Sequence, residues 1–181
     1  MTPLVIKKAP DIAKHIKLII FDVDGVLTDG SLFYDNNGEE YKAFNAKDGH
    51  GLRMLQKANI DVAIITGRKS KLVQHRAENL NLSPNMIYQG YSDKRIAYKD
   101  LLEKTNLSPQ QVAYVGDDII DLPVMTRVGL AIAVQDAHWF VIRHADWVSQ
   151  QKGGHGAVRE ICEMLLEAQG KLEVLLESYL K

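Results

Sequence analysis

A single cysteine, Cys162, stands among the 181 residues, so no disulfide can form within the chain. It falls in an apolar helical pattern, where cysteine serves as a small core residue. No apolar run approaches the roughly 20 residues needed to cross a bilayer. Residues 1–10 lack the apolar stretch and small-residue cleavage site of a secretory signal, which makes the cytoplasm the expected compartment. Neither sign of charge is in excess: 22 Lys and Arg stand against 23 Asp and Glu, for a net charge of −1. That balance points away from bulk binding to nucleic acid or to an anionic membrane. Internal repeats, low-complexity tracts and linkers are also missing. What remains is 46% hydrophobic and 25% charged, the composition of an ordinary globular protein. The length suits one domain with its own core, expected to run over residues 1–181.

Short apolar strands alternate with helical patterns along the whole chain. Strands are expected at Leu18–Phe21, Val62–Thr66, Met86–Tyr88, Val112–Val115, Leu130–Val134 and Trp147–Val148. Helices are expected at Gly51–Ala58, Lys71–Leu80, Lys94–Lys104, Ile119–Arg127, Ala137–His144 and Ala157–Ala168. Near-continuous apolar strands separated by helices predict an α/β fold, a Rossmann-like parallel sheet covered on both faces. Ligands of such sheets bind at the carboxyl ends of the strands. One segment breaks the rhythm: Ser31–Tyr34, then Asp35-Asn-Asn-Gly38, then Glu39–Phe44 reads as a hairpin with Asn-Gly turn chemistry. It leaves the sheet at Thr28-Asp29-Gly30 and is read as a flap of about residues 31–44 beside the site, with a decorative hairpin as the plainer alternative. The tail, about 170–181, keeps apolar helical spacing at Leu172, Leu175, Leu176 and Tyr179. It packs either on this domain or on another subunit.

Polar chemistry gathers where the strands end. Asp22 and Asp24 follow the strand Leu18–Phe21 directly, and Gly25 lets the chain turn. Two like charges at the end of a core strand call for a cation, and Mg²⁺ takes hard carboxylate oxygens beside substrate phosphates. A solvated turn is the alternative for this pair alone. The second strand ends in Thr66-Gly67-Arg68: a hydroxyl, a turn that permits close approach, and a guanidinium. Lys94 opens the helix after the third strand. Asp117, Asp118 and Asp121 crowd the turn after the fourth. Singly, Thr66 reads as a strand-end hydroxyl, Lys94 as a solvated lysine, and the three acids as helix-start residues. Together, at the carboxyl edge of one sheet, they are the parts of a phosphoryl-transfer site.

In this order, DVDGVLT, ITGR, the isolated lysine and GDDIID resemble the four motifs of the haloacid dehalogenase superfamily of phosphohydrolases. The resemblance implies that Asp22 is the nucleophile that becomes an aspartyl phosphate. Asp24 would protonate the leaving alkoxide and then deprotonate the hydrolytic water. Thr66 and Lys94 would hold the phosphoryl oxygens. Mg²⁺ would be bound by Asp22, by the Asp24 backbone carbonyl and by Asp117, with Asp118 and Asp121 as outer or orienting acids. The close pair of carboxylates supports this division, since two such groups resist carrying free charge together.

Cap domains are inserted in many members of that superfamily, after the first motif or between the second and third. Here about 37 residues separate Asp29 from Thr66 and about 28 separate Thr66 from Lys94, too few for an extra domain of at least roughly 50 residues. The chain is therefore read as capless. Either a macromolecular substrate lies over the open site or neighbouring subunits cover it. The stretches from Phe44 to Leu55 and from Lys152 to Glu160 resemble the capless branch whose members act on a phosphorylated eight-carbon sugar acid, 3-deoxy-D-manno-octulosonate 8-phosphate, on the route to lipopolysaccharide. That resemblance implies a homotetramer in which hairpins and tails cover neighbouring sites. It also implies substrate contacts by Asp24, Asn45, Ala46, Lys47, Asp48, Gly49, Arg53, Arg68, Arg76 and Lys94. Arginine is usual at the place of Lys47, and lysine lacks its two-pronged grip on a carboxylate. For Arg53 and Arg76 a solvated helix face is the alternative. His155, in Lys152-Gly-Gly-His-Gly156, reads as a loop residue, because no second His or Cys stands at ligand spacing. A capless phosphatase for another sugar phosphate or a nucleotide is the nearest competing reading. A phospho-accepting receiver domain is the competitor from another class, but no lone Asp ends the Val62–Thr66 strand as that fold requires.

Overall fold

The computed structural model describes residues 9–181 of the chain; the reading of the N-terminal residues as free of a secretory signal falls largely on residues 1–8, outside the described part. After a short helix α1 (Ala9–Ala13) the chain enters β1 (Leu18–Phe21). The hairpin β2 (Phe33–Tyr34) and β3 (Glu40–Tyr41) follows, then α2 (Ala46–Lys57), β4 (Asp61–Thr66) and α3 (Lys71–Asn79). Next come β5 (Ile87–Gln89), α4 (Lys94–Thr105), β6 (Val112–Gly116), α5 (Leu122–Met125), β7 (Leu130–Ala133) and α6 (Trp139–Ile142). The chain closes with β8 (Trp147–Val148), α7 (Ala157–Ala168) and α8 (Leu172–Glu177).

Six strands form one parallel sheet in the order β5-β4-β1-β6-β7-β8. The first strand lies inside it, with Leu18 opposite Asp61 on one side and Val112 on the other. All four residues of β1 and all five of β6 are buried, as a sheet covered on both faces demands. The four strands that carry the polar motifs, β5, β4, β1 and β6, are therefore contiguous. Helix α2 packs on α7, and Gly51 is where they meet: a Cβ there would stand 3.2 Å from Cys162 Sγ. Cys162 is buried in that contact. Among the described residues no helix is long and apolar enough to cross a membrane.

Only the hairpin, α3 and a 3₁₀ turn at Pro84–Met86 lie between Asp29 and Lys94 in addition to the sheet strands and α2, so the fold carries no cap. The hairpin pairs just two residues from each strand, Phe33 with Tyr41 and Tyr34 with Glu40. Its turn is built by Asp35, whose Oδ1 accepts the N–H groups of Asn37 and Glu39, with Gly38 at φ +82°. The tail folds as α8 followed by a 3₁₀ turn at Ser178–Leu180. It returns to its own chain: the Tyr179 hydroxyl accepts a hydrogen bond from Lys57 Nζ at 3.2 Å, and its ring lies 5.4 Å from that of His50.

One element begins earlier than the apolar pattern predicts. Helix α2 was expected from Gly51, with Asn45–Gly49 as a loop; it starts at Ala46. Asn45 is extended (φ −77°, ψ 130°) and its side-chain oxygen accepts the N–H groups of Lys47 and Asp48, satisfying donors that the first turn leaves free.

Candidate active site

Asp22 leaves β1 with its N–H bonded to the Val115 carbonyl of β6 at 3.1 Å, so its backbone still belongs to the sheet. Its side chain is buried. One oxygen, Oδ2, lies 2.9 Å from Lys94 Nζ; the other, Oδ1, is buried without any hydrogen-bond partner. Lys94 is placed by Asp93, which caps α4 through the Arg95 N–H. Its ammonium is buried against three groups: Asp22, Asp121 Oδ1 at 2.6 Å and the Tyr114 hydroxyl at 3.2 Å. Burial works against that charge, but the two carboxylates overcome it and hold the ammonium above its usual range.

Asp121 is the hub beneath. It is fully buried and accepts from Lys94 and the Tyr114 hydroxyl on Oδ1, and from the backbone N–H groups of Asp117 and Asp118 on Oδ2. Four donors leave it no free lone pair aimed elsewhere. The crowding needs glycine: a Cβ on Gly116 would come 2.5 Å from that of Asp121. Asp118 turns outward and caps the 3₁₀ turn Ile119–Asp121 by accepting the Ile119 N–H at 2.7 Å.

Asp22, Asp117 and Asp121 bring ligand atoms within 4.8 Å of one another. Burial and mutual repulsion push the Asp117 carboxyl up to about 8. Burial and Asp121, opposed by Lys94, push Asp22 up to about 7. Gly25, at φ +87°, lets the first-motif turn approach so closely that a Cβ would stand 2.1 Å from Asp117 Oδ2. An orphaned buried carboxylate oxygen, two strained acids and a glycine that opens space against one of them fit a hard divalent cation. Asp22 and Asp117 face that position, and Asp24, expected to contribute its carbonyl, is on the same turn.

The Asp24 side chain is not part of this acid cluster. Its Oδ1 accepts a hydrogen bond from Lys42 Nζ of the flap, and its Oδ2 lies 3.8 Å from Arg68 Nε. Thr66 ends β4 buried, with Oγ1 accepting the Arg68 N–H at 3.4 Å. Arg68 turns to the flap, bonding Glu40 Oε1 at 2.6 Å and the Tyr34 hydroxyl at 2.7 Å.

The other expected substrate contacts form a second group. Ala46 and Lys47 are exposed in the first turn of α2. Arg53 and Arg76, with Ala46, Gly49 and His50, line an open depression of about 440 Å³ between α2 and α3. Arg76 bonds the Asn45 carbonyl at 3.0 Å and stacks over Phe44; Arg53 bonds the Asn79 carbonyl. Gly49 makes room, since a Cβ there would strike the Arg76 guanidinium at 2.2 Å. Asp48 faces inward instead, accepting the Arg159 N–H at 2.9 Å and the Gly156 N–H at 3.4 Å at the start of α7. Burial raises its carboxyl pKa against those hydrogen bonds. The Asn45 amide donates to the Gly154 carbonyl at 3.2 Å, so this loop is tied to Lys152–Gly156. That glycine loop in turn seats on the first motif: Gly154 N–H bonds the Val26 carbonyl at 3.0 Å, and a Cβ on Gly153 would stand 1.8 Å from the Gly25 carbonyl oxygen. A larger depression, about 750 Å³, opens at the amino-terminal edge of the sheet beside Lys14, Lys17 and Lys171, far along the strands from these acids.

Tyr114, Lys42 and Glu40 were not singled out in the sequence. Tyr114 sits in a strand buried on both faces, where nothing distinguishes a working hydroxyl from packing. Glu40 opens β3 and Lys42 follows it, and what marks them is their ion pairs with Arg68 and Asp24, which only the fold brings together.

A model of the haloacid dehalogenase-like hydrolases matches residues 85–161. Over 161 residues, 89% of this chain and 85% of the relative, the sequence is 57% identical to 3-deoxy-D-manno-octulosonate 8-phosphate phosphatase KdsC of Salmonella typhi. This chain belongs to the 3-deoxy-D-manno-octulosonate 8-phosphate phosphatase family. The crystal structure of the family member from Yersinia pestis superimposes with a TM-score of 0.90 at 51% identity, covering 92% of this chain and 89% of the other. The family member from Moraxella catarrhalis, solved with a magnesium ion, a phosphate ion and a KDO molecule, superimposes with a TM-score of 0.92 at 39% identity, covering 96% and 99%. The chain thus belongs to a family with a magnesium-bound member, and its Asp22, Asp117 and Asp121 form a cluster that could hold such an ion.

Proposed function

We propose that this chain is a Mg²⁺-dependent phosphomonoester hydrolase that converts 3-deoxy-D-manno-octulosonate 8-phosphate to the free sugar acid and phosphate, a step of lipopolysaccharide biosynthesis. The observation that carries the reading is the buried cluster of Asp22, Lys94, Asp117 and Asp121 at the carboxyl edge of the sheet, in a chain more than half identical to phosphatases of that substrate.

The residues take distinct jobs. One oxygen of Asp22 attacks phosphorus as the bond to the sugar O8 breaks, giving an aspartyl phosphate. Asp24 hands its proton to O8, then takes one from the water that attacks the phosphorus and releases Asp22. Lys94 and Thr66 hold the phosphoryl oxygens, and Asp121 with the Tyr114 hydroxyl keeps the Lys94 ammonium aimed at them. Asp22, the Asp24 carbonyl and Asp117 would hold Mg²⁺, which neutralises charge on the transferring phosphoryl group. Arg68, Arg53 and Arg76, with Asn45, Ala46, Lys47, Asp48 and Gly49 shaping their surroundings, serve the acidic sugar. An anion with both carboxylate and phosphate needs cations at both ends.

Residues 1–181 are read as one hydrolase domain, acting in the cytoplasm as a homotetramer. The support for assembly is apolar surface beside the site: Leu32, Phe33 and Tyr41 on the flap and Ile119, Ile120 and Trp139 on the rim are each about half exposed. Neighbours that bury them would close a site that has no cap.

A panel of phosphate esters assayed with Mg²⁺ tests the assignment. Turnover of 3-deoxy-D-manno-octulosonate 8-phosphate should exceed that of hexose phosphates and nucleotides by at least ~10²-fold in kcat/KM, the discrimination that a few charged contacts supply. Comparable rates across the panel would leave only the broader phosphatase reading.

A further inference from the structure

The Lys42 side chain is a buried charge outside the acid cluster. Its side-chain exposure is 1%, although Leu32, Phe33, Tyr34 and Tyr41 of the same hairpin are open to solvent. A lysine on a flap ordinarily runs its stem along the surface and keeps its ammonium in water. Taking an ammonium out of water costs several kcal/mol unless carboxylates receive it. Two do: Asp24 Oδ1, in direct contact, and Glu40 Oε1 at 3.4 Å. Arg68 closes the ring from the other side, 2.6 Å from Glu40 Oε1 and 3.8 Å from Asp24 Oδ2, and the Tyr34 hydroxyl braces it. With Asp24 ionised, the form that takes the proton of the attacking water, two cations and two anions alternate and each member holds its neighbours.

The effect on Asp24 is specific. Lys42 occupies Oδ1. The 3.8 Å to Arg68 is too long for a hydrogen bond, so Oδ2 is the oxygen left available, on a side chain that keeps 21% exposure while Asp22 keeps 6%. We infer that Lys42 is a positioning residue for the reaction: the flap delivers its ammonium to Oδ1 of Asp24, fixing the carboxyl group so that Oδ2 carries the proton to the leaving sugar oxygen. The flap is then part of the acid/base apparatus as well as a wall of the site. This rests on the acid/base reading of Asp24 given above.

A general acid works only within hydrogen-bond reach of the atom it protonates. A misplacement of about 1 Å can cost ~10²-fold. That loss should fall only on substrates whose leaving group needs a proton. The test therefore compares kcat/KM, which covers the chain of steps through phosphoryl transfer to Asp22, on two esters. One is 3-deoxy-D-manno-octulosonate 8-phosphate, whose alkoxide must be protonated. The other is p-nitrophenyl phosphate, whose phenolate leaves without a proton. Lys42→Met and Lys42→Gln are measured with Mg²⁺ beside Asp24→Asn, with circular dichroism to select folded protein. Expected for a folded Lys42 variant is a loss of ~10²-fold on the sugar ester and a loss at least ~10-fold smaller on the aryl ester, with Asp24→Asn separating the two esters in the same direction and further. If Asp24→Asn separates them and neither Lys42 variant does, the inference about Lys42 is overturned while the reading of Asp24 stands. If Asp24→Asn loses equally on both, the acid/base reading falls and the Lys42 inference with it.

Discussion

Asp22 and Asp117 are held apart from their ordinary chemistry by each other, by Asp121 and by burial, and the consequence is a dependence on both pH and metal. Their folded-state pKa values, about 7 and about 8, lie above the 3.8 of a free carboxyl. Without a cation the folded protein therefore binds more protons than the unfolded chain between those limits. Stability is fullest below the unfolded value and is lost as pH rises through the folded ones. Protein stripped of metal by EDTA should show a falling unfolding midpoint from pH 5 to pH 8. Added Mg²⁺ should raise the midpoint, and raise it more at pH 8 than at pH 5, because the ion binds the ionised form. A metal-free midpoint that climbs over this range would contradict the placement of these carboxyl groups. At this scale the sequence was legible where polar residues gather in a compact motif. The places of Asp22, Asp24, Thr66 and Asp117 just at or after strand ends, and of Lys94 at the start of α4, were readable from the turns that follow apolar runs. Tyr114 and Lys42 were not, because what marks them is a partner that only the fold brings near: Asp121 and Lys94 for one, Asp24 for the other.

Elements show the same division. The buried parallel strands were readable because continuous apolar runs bounded by turns admit little else, and α7 runs over Ala157–Ala168 as its spacing predicts. The start of α2 was not readable. Asp48, Gly49 and Gly51 are poor helix formers, and what makes them helical is tertiary: Asp48 caps the backbone of α7, and the two glycines admit Arg76 and Cys162. Asn45 joins these effects, capping α2 with its oxygen and holding Gly154 with its amide. Asn45→Ala should cost about 1 kcal/mol in stability, the usual worth of such a cap, measured by urea unfolding. Because the lost amide also loosens the glycine loop from the catalytic turn, kcat should fall further than that figure alone explains. Unchanged kcat would mean that Gly154 is held adequately by its bond to Val26.

Over the whole molecule, a site without a cap meets exposed apolar surface on both the flap and the rim. Placing charge in that surface tests whether the two belong together. Leu32→Asp with Phe33→Asp should convert the proposed tetramer to smaller species by native mass spectrometry, and should raise KM for the sugar-acid phosphate as the site opens. A mass unaffected by both charges would remove the flap from the assembly. The tail argues at this scale too. Its apolar spacing announced a helix, but only the fold reveals that Tyr179 comes to rest on Lys57 and His50 of its own chain.

The strand order has a consequence for how this molecule is made. Strand β1 lies inside the sheet, yet its neighbours are β4 and β6, which the ribosome delivers much later. Until Val112–Gly116 emerges, one entire edge of Leu18–Phe21 has no partner and its apolar side chains have only half a core. Parallel sheets of this kind assemble slowly and leave such edges open to wrong partners. The newborn chain thus passes much of its synthesis carrying Asp22, the proposed nucleophile, on an unfinished edge. Asp22 and Asp117 come together only when β6 docks, so on the proposed reading folding itself is the step that switches the catalyst on.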